Sequence, residues 1–344
     1  MSAQVAKMTA QKDSTISTLL AVSFVLSGLN YAAAKSTTTH PADMPTAVHN
    51  AVAVTDVVWF DASRGRTIPA RIYYPAGSGN ERFPVILFSP GLGQSRDDCA
   101  YLGRHWAGCG YVSVHVQHPG SDKAAERGLR PRKELQRAFY DPSNIRNRPL
   151  DIMFAIGRLD EMTQKSSSPG DRFDMTRIGV SGHDFGAQTV LALAGQVLPG
   201  KLAFKEHRVK AVVAMSAPVP LGQVPLTLAY GDVSLPCLHI TGTADNSIVA
   251  TTTASQRRLP FDYTSGVDQF LVTLQGADHL TYSGHALARN SGHDALFHQL
   301  IADCSTAFWD AYLKDRPAAK TWLAGRGIID LLGVNGRVEK KLVP

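Results

Sequence analysis

Three short segments carry side chains suited to nucleophilic hydrolysis. Gly182-His183-Asp184-Phe185-Gly186 sets a carboxylate between two glycines. Gly242-Thr243-Ala244-Asp245-Asn246 brings a second carboxylate, and Gln275-Gly276-Ala277-Asp278-His279 an imidazole. The first has the frame of a nucleophile elbow, with Asp184 where serine commonly stands; Gly182 and Gly186 suit a tight strand-to-helix turn. In that order, Asp184 takes the nucleophile position, His279 acts as general base, and Asp245 orients the ring and stabilises its imidazolium. Asp278 is adjacent to His279 in sequence, which gives poor geometry for a bond to the same ring. His183 completes the elbow string.

A hydrolase of this kind also needs donors for a developing oxyanion. The amide of Phe185, directly after the nucleophile position, is one expected donor. The other is the amide of Leu92, in the loop Ser89-Pro90-Gly91-Leu92-Gly93. Glycine at 91 allows backbone to approach a bound oxygen.

An aspartate at the elbow alters the chemistry. With a reference pKa of about 3.9 it is ionised near neutral pH and needs no base to make it a nucleophile. His279 is then left to activate water against the covalent ester. A carboxylate readily displaces halide or opens an epoxide at saturated carbon. It is poor against an ester carbonyl, because the tetrahedral intermediate expels carboxylate more easily than alkoxide.

The elements that must position these groups alternate along the chain. Val52–Phe60 and Thr67–Tyr74 read as strands joined by a turn-rich loop, hence an antiparallel hairpin at a sheet edge. Pro84–Ser89, Tyr111–Val116, Arg177–Ser181, Val209–Met215, Pro236–Thr241 and Gln269–Leu274 read as further strands, several of them continuous apolar runs of the buried parallel type. Helical patterns cover Asp97–Ala107, Arg132–Phe139, Leu150–Met162 with Pro149 at its start, Phe185–Ala194 and Asp294–Leu313. The expected fold is α/β: one domain with a doubly wound, mostly parallel sheet. The candidate residues follow strand ends, where such sheets collect their sites.

Composition narrows the function classes. The chain has 344 residues, 44% of them hydrophobic, which suffices for a large core. Its net charge of +6 is scattered, without the dense basic run that tracks phosphates, so no nucleic-acid partner is expected. Lys7 and Lys12, the mostly apolar run Ile16–Leu29 and Ala32-Ala33-Ala34 read as a signal peptide over residues 1–34, implying a secreted or periplasmic enzyme without a stable membrane span after cleavage. A polar linker is expected over 35–50, the catalytic domain over 51–315 and a C-terminal extension packed on it over 316–344. Cys99, Cys109, Cys237 and Cys304 lack zinc-ligand spacing, so neither metal nor cofactor is expected; sequence alone assigns no pairing. His285 is expected to be an ordinary loop histidine.

Four segments carry a family resemblance: Phe88-Ser89-Pro90-Gly91-Leu92-Gly93, Gly182-His183-Asp184-Phe185-Gly186-Ala187, His239-Ile240-Thr241-Gly242-Thr243-Ala244-Asp245 and Gly276-Ala277-Asp278-His279. From about Val52 to about Leu313 the chain resembles the α/β-hydrolase branch of predicted dienelactone hydrolases, plasma-type platelet-activating-factor acetylhydrolases and bacterial polyester (cutinase-like) hydrolases. The resemblance implies metal-free hydrolysis of small or polymeric carboxylic esters or lactones. Asp245, His279 and the amides of Leu92 and Phe185 carry over directly. Asp184 departs from the serine of that branch, or the cysteine of true dienelactone hydrolases. Gly182-His183-Asp184-Phe185 is similar instead to the elbows of haloalkane dehalogenases and epoxide hydrolases, which implies carboxylate-nucleophile chemistry. Those enzymes carry a helical cap before the strand bearing the acid, and Pro218–Leu235 is too short for one. A third possibility is a silenced hydrolase fold that binds a ligand without turning it over. The oligomeric state stays open.

Overall fold

The computed structural model describes residues 50–344, apart from 78–80, 127–130, 166–167 and 285–290. The signal peptide expected at 1–34, nearly all of the linker and His285 therefore lie outside the described residues. In chain order the elements are β1 (Val52–Asp61), β2 (Arg66–Pro75), β3 (Phe83–Ser89), α1 (Ala100–Gly108), β4 (Val112–Val116), α2 (Pro131–Tyr140), α3 (Pro142–Gln164), β5 (Phe173–His183), α4 (Phe185–Ala194), β6 (Val209–Met215), α5 (Leu226–Tyr230), β7 (Cys237–Ala244), α6 (Leu259–Tyr263), β8 (Gln269–Asp278), α7 (Ser291–Tyr312), α8 (Pro317–Ala324), α9 (Gly327–Leu332) and β9 (Gly336–Lys341).

Among the described residues nine strands form one sheet in the order β1-β2-β4-β3-β5-β6-β7-β8-β9. From β4 to β8 every pairing is parallel, while β1, β2 and β9 add antiparallel edges. This is the α/β-hydrolase fold. Successive strand side chains point to opposite faces, so each central strand feeds two cores. Ile86 and Phe88 of β3 pack with Trp106 of α1 and Trp309 of α7 on one face. Val85 and Leu87 pack with Ile152 of α3 and Leu191 of α4 on the other. A strand buried on both sides has no polar alternation, which is why β3 reads as an unbroken apolar run.

Two segments differ from the sequence expectation. Helix α3 starts at Pro142, two turns before the predicted start, and Pro149 lies inside it. Asp141 caps the helix by accepting from the Ser143 amide at 2.8 Å, and Pro142 stands at the first position, where its missing N–H is not needed. Pro149 removes one hydrogen bond inside the helix, while Ile145, Ile152, Ala155, Ile156 and Leu159 bury its inner face, and the added turns carry Arg148 into the interior. The tail after residue 315, expected only to pack on the domain, contributes β9 to the sheet, with Val272 of β8 opposite Val338.

The interval between β6 and β7 holds only the five-residue α5, so no large cap stands there. The larger insertion lies between β4 and β5 and supplies α2 and α3. Among the described residues no helix is long and apolar enough to cross a membrane. All four cysteines are buried and unpaired.

Candidate active site

Sheet register brings the candidate residues together. Ala244 of β7 pairs with Asp278 of β8, so the next residues, Asp245 and His279, leave adjacent strands side by side. His183 of β5 pairs with Met215 of β6, which places Asp184 beside Ser216 in the same way. Asp184 has φ 50° and ψ −118° and immediately precedes α4. A side chain at positive φ is strained, and such strain concentrates where a group must be presented in a fixed direction. The glycines permit the turn by close approach. A Cβ on Gly186 would overlap the Ser89 carbonyl, and one on Gly182 would overlap the Gly186 carbonyl.

The imidazole of His279 lies between two carboxylates. Its Nδ1 is 3.0 Å from Oδ1 of Asp245, and its Nε2 is 3.7 Å from Oδ1 of Asp184. Ionised Asp245 only accepts hydrogen bonds, so Nδ1 carries a proton, and Nε2 is the nitrogen that faces Asp184. Asp245 is fully buried. Oδ1 also accepts from the Ser216 hydroxyl at 2.8 Å, and Oδ2 from the Thr241 hydroxyl at 2.9 Å. Burial alone would raise its pKa; the hydrogen bond from His279 and the Arg257 charge outweigh burial and hold it below the usual carboxylate value.

Ser216 and Arg257 were not singled out from sequence. The Ser216 hydroxyl also lies 2.9 Å from Nδ1 of His279. Arg257 is buried against the back of the pair. It donates to the Ser216 carbonyl at 2.6 Å and the Asp245 carbonyl at 3.2 Å, with Nη2 3.5 Å from Oδ1 of Asp245. Ser216 sits directly after a strand, like every other candidate, and that position was its only signal. Arg257 lies in the polar run Ser255-Gln256-Arg257-Arg258, which carries no signal of burial.

The expected oxyanion donors meet at Asp184. The Leu92 amide donates to Oδ2 of Asp184 at 3.3 Å. Burial pushes the Asp184 pKa up, but His279, His183, Arg257 and the Phe185 amide together hold it below the ordinary value. Asp184 is thus an anion, only 8% exposed, at the head of a fully buried helix, whose N-terminal dipole favours negative charge. His183 stacks near His279 and Tyr282, and its Nδ1 lies 3.3 Å from Oε1 of Gln94. Gln94 also accepts from the Gly91 amide at 2.7 Å, which fixes the bend leading to Leu92.

Asp184 and His279 form the floor of a cleft of about 360 Å³. Its walls are largely apolar, with Leu92, Leu135, Phe139, Ile248, Val249 and Leu280, while Lys123 and Asp98 stand among its polar lining. Leu135 and Phe139 come from α2, so the insertion between β4 and β5 shapes the cleft. Such a site suits a neutral, partly apolar substrate held against a few polar groups. Among the described residues no group of three or more His, Cys, Asp or Glu is placed to hold a metal ion.

No protein-family model matches the chain. The chain is 24% identical over 210 residues to bis(hydroxyethyl) terephthalate hydrolase of Streptomyces coelicolor, covering 61% of this chain and 54% of that protein. It is 26% identical over 209 residues to cutinase est2 of Thermobifida alba, covering 60% of this chain and 56% of that one. The chain therefore spans about half the length of the curated relatives it matches. Both relatives are ester hydrolases by name.

Proposed function

We propose that this protein is an exported hydrolase of carboxylic esters or lactones, small or polymeric, working through Asp184, Asp245 and His279. The observation that carries this reading is the His279 ring, tied to Asp245 through Nδ1 and facing Asp184 through Nε2 at the floor of an apolar cleft. Two distant relatives named as ester hydrolases support it. Export rests on the N-terminal segment alone. Asp245 holds the ring, Nε2 takes a proton from water, and the water oxygen attacks the acyl carbon while the Phe185 amide, and the Leu92 amide once Oδ2 of Asp184 is displaced from it, face the developing oxyanion; the bond from the acyl carbon to the alkoxy oxygen then breaks, and the proton on Nε2 passes to the departing alkoxide. Asp184 makes a poor partner for a carbonyl, so slow turnover is expected of the chain as it stands. Short-chain aryl esters test the proposal with this chain, with Asp184→Ser and with His279→Ala. The ester reading fails if neither of the first two exceeds the third.

A second reading is favoured by one contact. Oδ2 of Asp184 already accepts from Leu92, which leaves Oδ1 as the free nucleophile. In this scheme Oδ1 displaces halide or opens an epoxide, forming an alkyl ester on Asp184. Water then loses a proton to His279 and adds to Cγ; the bond from Cγ to the alkyl oxygen breaks, and the proton passes to the departing alkoxide. Oδ2 is then the oxyanion, already facing its donor. Turnover in heavy-oxygen water places label in Asp184 if this scheme operates, and turnover without label rules it out.

A further inference from the structure

Behind the oxyanion loop lies a second Ser-His-Asp arrangement. The Ser89 hydroxyl is 2.9 Å from Nε2 of His118, and Nδ1 of His118 is 3.1 Å from Oδ2 of Asp151. Each of these residues is at most 1% exposed, so no substrate reaches Ser89. Asp151 is further bound by Arg64 at 2.7 Å and Arg66 at 3.0 Å. An ionised carboxylate only accepts, so His118 donates through Nδ1 and accepts the Ser89 hydroxyl proton through Nε2. The Ser89 oxygen keeps a lone pair, which accepts from Nη2 of Arg148 at 3.2 Å.

Arg148 is 1% exposed, and every arm of its guanidinium is used. Nη2 also donates to the Pro90 carbonyl, Nη1 donates to the Ser121 hydroxyl at 2.8 Å, and Nε donates to the Thr189 hydroxyl at 3.1 Å. Its Cζ lies 4.5 Å from the centre of the Phe185 ring. One side chain thus holds the peptide two residues before the Leu92 amide, the aromatic ring of Phe185 and the second turn of α4 through Thr189. A planar fork with fixed donor directions can set such geometry, where a single ammonium cannot.

We infer that Arg148 is the positioning residue of the oxyanion pocket, holding the Leu92 and Phe185 segments in register and itself held by the buried Ser89–His118–Asp151 relay. This rests on the proposal that the amides of Leu92 and Phe185 are the oxyanion donors. The relay is structural: its directional hydrogen bonds fix the side of the guanidinium that meets Ser89 and Pro90. Loss of one oxyanion donor costs about 10²–10³ in kcat, and misplacing both by a fraction of an ångström reproduces part of that.

Two substitutions, Arg148→Lys and Ser89→Ala, test the inference with two measurements. The first is backbone hydrogen exchange in the full chain, which needs no turnover. Exchange at the Leu92 amide should quicken about tenfold or more in Arg148→Lys and less in Ser89→Ala, while amides of β7 and β8 keep their protection. The second is aryl-ester kinetics with Asp184→Ser as parent. There kcat should fall about tenfold or more, with KM changing less than about threefold. Unchanged exchange at Leu92 in both variants overturns the inference, as does protection lost evenly across β5 to β8. If Arg148→Lys does not fold, Ser89→Ala decides by the same criteria. If neither this chain nor Asp184→Ser exceeds His279→Ala, the ester reading fails, and exchange at Leu92 alone decides this one.

Discussion

The amide of Leu92 donates to Oδ2 of Asp184 over 3.3 Å, so one oxygen of the elbow carboxylate occupies the donor that the proposed function assigns to a substrate carbonyl oxygen. An ester must displace that oxygen before a donor can reach its own carbonyl, and it must do so against a helix N-terminus that favours the anion. Under the proposed ester reading the obstacle is this single side chain.

Replacing Asp184 with serine should therefore raise ester hydrolysis. The hydroxyl is shorter and neutral, vacates the space beside Leu92 and leaves Nε2 of His279 facing a proton it can take. The expected gain in kcat/KM on short-chain aryl esters is about 100-fold or more, equivalent to roughly 2.7 kcal/mol of transition-state stabilisation. Equal rates for the two proteins would show that Asp184 is not the obstacle.

In that serine variant, His279→Ala should remove activity by about 10³-fold or more, because nucleophile and base act as one unit. The thermal midpoint should fall as well, since His279→Ala takes one donor from the buried Asp245, which keeps Ser216 and Thr241, a loss of about 1.5–3 kcal/mol. Comparison of steady-state rates and melting curves checks both halves of the expectation.

Arg257 and Ser216 should separate by what they leave behind. Arg257→Met leaves Asp245 buried without its neighbouring positive charge, a loss of about 3–5 kcal/mol in stability. Ser216→Ala removes one donor from a carboxylate that keeps Thr241 and His279, a loss of about 1.5–3 kcal/mol. Urea unfolding measures both, and a larger loss for Ser216→Ala would contradict the assigned roles.

Acid should destabilise the fold well before its carboxylates protonate. Burial pulls the pKa of His115 down to about 3 and those of His118, His183 and His239 to about 4. These groups are neutral when folded but protonate near pH 6.5 when unfolded. Between those values the unfolded chain binds more protons, so stability falls as pH falls, by about 1.4 kcal/mol per pH unit for each such group. The shifted carboxylates Asp151, Asp184 and Asp245 act lower, their contribution being lost only as pH falls below about 3.8. The melting temperature should drop on the order of 10 °C between pH 7 and pH 5. A flat profile over that range would contradict neutral burial of these histidines.

The order of strands and helices was legible in the sequence, and so was the place of Asp184, Asp245 and His279 just past strand ends. Each depends on local information: apolar runs for strands buried on both faces, glycines for the turn, and a short polar motif just after a strand end. The helix α3 was read too late because a Pro at 149 is a strong local stop signal, while the competing cap at Asp141 is read only together with the packing that holds the helix. The strand β9, Gly336-Arg337-Val338-Glu339-Lys340-Lys341, has too few apolar residues to announce itself and is made a strand by pairing with β8.

By itself, then, the sequence determined which residues follow which strands, and so which could converge. Only the tertiary structure decided what surrounds them. Ser216 reaches the His279–Asp245 pair through the register of β6 on β7. Arg257 and Arg148, which no sequence signal marked, are almost wholly enclosed, and Oδ2 of Asp184 is turned toward the Leu92 amide. The physical reason is that a buried charge is tolerated only where partners from distant segments meet it, and those segments become neighbours only when the chain has folded.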